Sequence, residues 1–127
     1  MADQGWKIAI VGGGVGGLTL GLALREQGLE ADVYEQADEL REVGAAVALS
    51  ANATRFFERI GIADKFAEVA FEIDTLIYRD GRSGKVIGKH SGKPTYREQF
   101  GAPYWGIHRA DLQKILSGRL GMERIHL

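Results

Sequence analysis

With 127 residues, 45% apolar and 26% charged, the chain has the size and balance of a single globular domain, and a net charge of −1 gives it no pull toward nucleic acid or an anionic membrane. It has no cysteine, which excludes disulfides, thiolate metal sites and a cysteine nucleophile and fits a reducing, cytoplasmic setting. The histidines, His90, His108 and His126, are too scattered to suggest a metal cluster.

Residues 8–24 carry no charge. A spanning helix needs about 20 mostly apolar residues, and the glycines packed between Gly12 and Gly17 would break one. No basic leader or small-residue cleavage site precedes the run, so neither a membrane segment nor a signal peptide is expected.

In chain order, residues 7–11 (KIAIV) are apolar and β-branched and predict a buried parallel strand. Residues 15–27 predict a helix, with Leu18, Leu22 and Leu24 at helical spacing and Gly28 as its stop. Residues 31–35 (ADVYE) predict a second strand, and strand, helix and strand in so short a span make a right-handed βαβ crossover. A loop over 36–46 and a brief strand at 47–49 follow. Ser50 is placed to cap a helix carrying Ala53, Phe56, Phe57 and Ile60 on one face, ended by Gly61. A second short helix is expected from Ile62, Phe66, Val69 and Ala70. Alternation at Phe71, Ile73, Thr75 and Ile77 predicts one strand through Arg79. Asp80-Gly81 then begins a turn, with a return strand over 85–88. Residues 89–101 predict a loop, 104–107 a strand, 109–120 a helix with Leu112, Ile115, Leu116 and Leu120 inward, and 123–127 a last strand.

The sequence from Gly12 to Gly17, GGGVGG, satisfies G-x-G-x-x-G through Gly12, Gly14 and Gly17. Alone the pattern is weak, but here it leaves a strand and enters a helix, and Glu35 ends the next strand at close to the twenty-residue spacing of the dinucleotide fingerprint. Gly12 permits the tight turn, Gly14 lets a pyrophosphate approach the backbone, and Gly17 lets helix and strand pack closely. The helix start, through Val15 and Gly16, offers unpaired N–H groups and partial positive charge to phosphates. Glu35 is suited to accept hydrogen bonds from a ribose hydroxyl, and its charge disfavours the 2′-phosphate of NADP. The fingerprint by itself does not choose between FAD and NAD. The plainer alternative is a glycine-rich turn in an ordinary α/β domain with Glu35 solvated.

Further segments carry a resemblance. Residues 41–47 (REVGAAV), 50–54 (SANAT), 100–104 (FGAPY) and 106–112 (GIHRADL), together with GGGVGG, resemble the first part of a class A flavoprotein aromatic hydroxylase. The resemblance is nearest to the salicylate hydroxylase, 3-hydroxybenzoate 6-hydroxylase and 6-hydroxynicotinate monooxygenase branch. It implies an α/β fold: a Rossmann-like FAD/NAD(P)-binding domain with a parallel sheet and an attached β-hairpin, truncated. It also implies FAD as cofactor, NADH or NADPH as reductant, O2 as co-substrate and a small aromatic acid as the molecule hydroxylated. By position it assigns Gly14 and its neighbours to the pyrophosphate, Glu35 to the adenosine ribose, Arg109 to phosphate or ribose oxygens, and the backbone of Gly44–Val47, including Ala46 and Val47, to the flavin ring.

Arg109 as a plain surface residue would set a cation against the helix dipole, which favours a functional role. Gln36 and Arg41 are candidates for adenosine contact or solvated loop residues alike, and Gln113 is a lesser cofactor candidate. His108 is expected to pack or hydrogen-bond rather than act as a base, and Tyr104 and Trp105 to be core. Ala46 and Ala51 stand where the family often has glycine and proline, and Ala48 where some relatives carry a polar residue near substrate. The likeness covers about the first third of a family-length enzyme. The chain is therefore expected to be an N-terminal portion of the FAD-binding domain, without the substrate domain and inactive alone. The rival readings are another FAD- or NAD-dependent oxidoreductase and a non-catalytic nucleotide-binding module. The ring position hydroxylated, NADH against NADPH and the oligomeric state are left open.

Overall fold

The computed structural model of the chain describes residues 5–40 and 44–127. In chain order its elements are β1 (Ile8–Val11), α1 (Val15–Glu26), β2 (Ala31–Tyr34), β3 (Ala46–Leu49), α2 (Ala51–Arg59), α3 (Ala63–Ala67), β4 (Phe71–Glu72), β5 (Thr75–Arg79), β6 (Val86–Ser91), α4 (Thr95–Phe100), β7 (Trp105–His108), α5 (Arg109–Leu120), a 3-10 turn (Met122–Arg124) and β8 (Ile125–His126). They fall into two units, Met1–Ala45 with His108–Leu127, and Ala46–Ile107.

The first unit holds the expected βαβ crossover. Its sheet has the order β1-β2-β8. Both pairings are parallel, with Ile8 opposite Ala31 and Val33 opposite Ile125. Strand alternation turns Ile10, Ala31, Val33 and Ile125 inward, and the buried Leu18 and Leu22 of α1 and Leu112, Leu116 and Leu120 of α5 complete the core. Gly21 sits at the junction, where a Cβ would lie 3.2 Å from Leu120 and 3.7 Å from Ile10. Gly28 takes φ +73° just past α1, the left-handed stop read from the sequence. Arg25 closes the far end of α5, its guanidinium donating to the carbonyls of Leu120 (3.2 Å) and Arg119 (2.8 Å). The last strand is shorter than expected, because the 3-10 turn takes up Met122–Arg124 first.

The second unit has a sheet of order β3-β7-β4 and the two-stranded β5–β6 hairpin. Its aromatic core stacks Phe57 on Phe66 at 4.5 Å between ring centroids and Phe66 on Trp105 at 5.9 Å. Helix α2 forms where expected, but its buried face is Ala51, Thr54 and Phe57. Thr54 is included because its hydroxyl has a partner, donating to the carbonyl of Pro103 at 2.9 Å. Ser50 occupies the N-cap position without making a side-chain cap bond.

Two further expectations fail here. The single strand over 71–79 is two strands in different sheets. Phe71 and Glu72 pair with β7, whereas Thr75–Arg79 pairs with β6. The backbone changes partner between them: the Ile73 N–H donates to Tyr104, and the carbonyls of Ile73 and Asp74 accept from Lys93 and Gly92. Gly92 makes the approach possible, since a Cβ there would lie 1.8 Å from the Ile73 oxygen. The expected loop over 89–101 contains the end of β6 and all of α4, whose Tyr96 is buried and donates no helix-length apolar stripe by which the sequence would reveal it. Gly101 ends α4 at φ +69°.

Among the described residues no helix is long and apolar enough to cross a membrane. The uncharged run 8–24 is divided between β1 and α1. Replacing Thr54 by Val keeps its shape but strips the buried Pro103 carbonyl of its donor. The expected cost is about 1–3 kcal/mol, read as a lower urea midpoint with an unchanged slope.

Candidate functional site

The site is built where β1 gives way to α1. The Gly12 N–H donates to the Tyr34 carbonyl at 2.7 Å, carrying the β1–β2 ladder one residue past Val11. Gly12 then turns at φ +104°, a conformation that L side chains rarely adopt. Gly14 is extended at the N-cap of α1, and its carbonyl accepts the first helical bond from Leu18 at 3.0 Å. Gly17 lies so close under the turn that a Cβ would sit 1.9 Å from the Gly12 oxygen. The geometric jobs assigned to Gly12 and Gly17 are thus visible in the backbone.

The first N–H groups of a helix have no partner within it. In α1 they belong to Val15, Gly16 and Gly17, and no acidic residue in that turn offsets their partial positive charge. A Cβ at Gly16 would meet nothing within 4 Å. This is a donor set without side-chain obstruction, suited to an anion such as pyrophosphate.

Glu35 follows β2 directly, and its own N–H donates to the His126 carbonyl at 2.8 Å. Its carboxylate is tied to the glycine turn, Oε2 accepting from the Gly13 N–H at 2.7 Å and Oε1 from the Ala37 N–H at 3.0 Å. These backbone donors, Gly13 first and Ala37 next, hold its pKa below the ordinary glutamate value against a smaller opposing effect of desolvation. An ionised carboxylate has about four acceptor positions, so both oxygens retain capacity for ribose hydroxyls.

Two residues matter here beyond the fingerprint. Gly13 counts only as a variable position in the motif, yet a Cβ on it would lie 2.9 Å from Leu40 and 3.0 Å from the Glu35 Cβ. Gln113, buried on α5, donates from Nε2 to the Gly13 carbonyl at 3.1 Å. Nothing local in the sequence marks a glutamine a hundred residues away as this partner. Its position inside the buried stripe of α5, between Leu112 and Leu116, was the available signal.

The other candidates are placed unevenly. Arg109 is exposed as the first residue of α5 and runs beside Gly44, whose would-be Cβ is 3.5 Å from the Arg109 Cδ. Gln36 is exposed one residue past Glu35. Arg41 lies outside the described residues. Ala46 and Val47 are on β3 in the second unit, Ala46 exposed and Val47 half-buried. Trp105 is buried against Phe66, and Tyr104 stacks on Tyr96 at 5.0 Å, so both are core. A separate cleft of about 180 Å³ lies at the other end of β2, lined by Gly21, Arg25, Ala31, Leu120 and Arg124. Its arginines are engaged structurally, Arg25 with the end of α5 and Arg124 with Glu30.

A family model described as an FAD binding domain matches residues 6–117, and the chain belongs to that family. It is 35% identical over 127 residues to 3-amino-4-hydroxybenzoate 2-monooxygenase of Streptomyces cremeus, a match covering all of this chain and 32% of the relative. It is 38% identical over 110 residues to 3-hydroxybenzoate 6-hydroxylase 1 of Aquipseudomonas alcaligenes, covering 87% of this chain and 28% of that one. The structure of Klebsiella pneumoniae HpxO complexed with FAD and uric acid matches with a TM-score of 0.75 at 28% identity, covering 98% of this chain and 31% of that one. The chain therefore spans about a third of the length of the curated relatives it matches.

The lowered pKa of Glu35 fixes the sign of a pH effect. The stability it lends is full above the unfolded-state value and is lost as pH falls through the lower folded value. A carbon-detected NMR titration should place the Glu35 midpoint below that of an ordinary glutamate. In the Glu35→Gln variant this contribution to acid sensitivity should vanish. A second expectation separates the glycines: Gly17→Ala should lower the melting temperature sharply, and Gly16→Ala should barely move it, since only the former meets backbone.

Proposed function

We propose that this chain grips the ADP half of FAD at the turn from β1 into α1, as part of a flavin-dependent monooxygenase that hydroxylates a small aromatic acid with NADH or NADPH and O2. The observation that carries this reading is the pairing of unobstructed helix N–H groups at Val15 and Gly16 with the Glu35 carboxylate fixed beside them. The one suits a phosphate and the other a ribose hydroxyl.

In this reading the N–H groups of Gly14, Val15 and Gly16 bind the pyrophosphate oxygens, while Gly12 and Gly17 shape the turn that presents them. Glu35 accepts from the adenosine ribose, and Gln36 and Arg41 are candidates for contact with the adenosine. Arg109 supplies a permanent cation, with several donors, to phosphate or ribose oxygens. By the resemblance alone, the backbone at Ala46 and Val47 is assigned to the flavin ring. The flavin, when bound, supplies the redox chemistry of oxygen activation. The chain's own part is to hold and orient the cofactor.

Aromatic acids are proposed as substrates because matched relatives are named for them, among them 3-hydroxybenzoate and 3-amino-4-hydroxybenzoate. The urate hydroxylase relatives mark the neighbouring choice, an electron-rich heteroaromatic ring. In the whole protein, oxygen uptake with NADH should rise on adding an aromatic acid.

The direct test is equilibrium binding to the 127-residue chain. FAD and ADP should bind, whereas NADP should bind far more weakly, because its 2′-phosphate meets the Glu35 charge. Glu35→Gln should narrow that discrimination. A chain that binds neither FAD nor ADP would overturn the site, and purified whole protein without visible flavin absorption would overturn the flavin assignment.

A further inference from the structure

Gln113 is 6% exposed, and a buried amide needs hydrogen-bond partners. Its Nε2 donates to the Gly13 carbonyl. The N–H of the same residue donates to Glu35. Gly13 is therefore held on both sides by side chains from different parts of the first unit, one following β2 and one on α5.

The consequence lies in the next peptide. The Gly13 carbonyl and the Gly14 N–H belong to one planar trans unit, so they point in opposite directions. A donor that draws the carbonyl toward α5 aims the Gly14 N–H away from it. Gly14 is the N-cap of α1, so that N–H stands at the head of the helix beside the unpaired donors of the first turn. Gly14 has no side chain to accept from the N–H groups of that first turn, which leaves them open as well.

We infer that Gln113 is a positioning residue for the anion-binding turn: it fixes the peptide between Gly13 and Gly14 so that the Gly14 N–H is preset toward the pyrophosphate. This deepens the cofactor reading and rests on it. Gln113 touches no phosphate itself and acts through Gly13. A neutral donor is what the position calls for. A carboxylate there would repel the Gly13 oxygen, and a hydrocarbon would leave that oxygen unsatisfied.

The test compares FAD and ADP binding by the wild-type chain with that by Gln113→Leu and Gln113→Glu, between pH 5 and pH 8. Gln113→Leu should weaken both ligands by roughly ten- to a hundredfold, because the released carbonyl turns to another partner in the free chain and binding must return it to an unmet position. Gln113→Glu is the sharper variant. When protonated, its carboxyl can donate to Gly13 and restore binding. When ionised it cannot. Burial and the Glu35 charge across the same residue push the new carboxyl's pKa up, so binding should fall as pH rises through that value while the wild type stays flat. If Gln113→Leu proves too unstable, the pH profile of Gln113→Glu decides alone.

A Gln113→Glu profile parallel to the wild type, or unchanged affinity in Gln113→Leu, would overturn the inference and leave the cofactor site standing. A wild-type chain that binds neither FAD nor ADP would overturn the cofactor reading together with the inference.

Discussion

A methyl group at position 17 would lie 1.9 Å from the Gly12 oxygen, and most of the first unit follows from that contact. With glycine there, α1 can start immediately beneath the end of β1. Its axis then runs close to the sheet, and Leu18, Leu22, Ile10 and Val33 are all buried. Gly21, one turn on, continues the close approach and admits Leu120 of α5. A short sheet has little area to bury, so tight helix–sheet contact supplies much of its cohesion.

The same closeness produces the chemistry. A helix that begins at the sheet edge presents its unpaired N–H groups beside the end of the neighbouring strand, where Glu35 stands. Opposite charges are thereby set side by side: the partial positive helix start and a carboxylate kept ionised by backbone donors. Such a site can take a ligand that is anionic at one point and hydroxylated at the next. Two further ties keep the turn from relaxing, the Gln113 amide on the Gly13 carbonyl and the ladder bond from Gly12 to Tyr34.

The second unit relies on other means. Its packing comes from the Phe57–Phe66–Trp105 stack and from Tyr96, whose hydroxyl accepts the Ala51 N–H at 3.1 Å. A two-stranded hairpin is marginal by itself, and β5–β6 keeps Ile77, Tyr78, Val86 and Ile87 exposed. It is tied down through its base, where Gly92 and Lys93 bond to Asp74 and Ile73, and through its tip, where Asp80 Oδ1 accepts from the Ser83 N–H and hydroxyl at 2.7 and 2.6 Å.

Elements whose signals are local were legible in the sequence. The crossover, the parallel pairing it implies, the positive-φ glycines at 12 and 28, and the existence of α2 all come from spacing within a few residues. That Gly12, Gly17 and Glu35 meet at one turn was legible for the same reason, since the fingerprint is itself a local pattern. What only the tertiary structure decided depends on which backbone meets which. Alternation along 71–79 says that a strand is extended but not where it changes partner. Polar residues at 95–100 hide a helix whose burial comes from a single tyrosine. A glutamine in an apolar stripe gives no sign of the carbonyl it will meet. A hydrogen-bond partner distant in sequence is chosen by packing, and packing is the one property that no local spacing records.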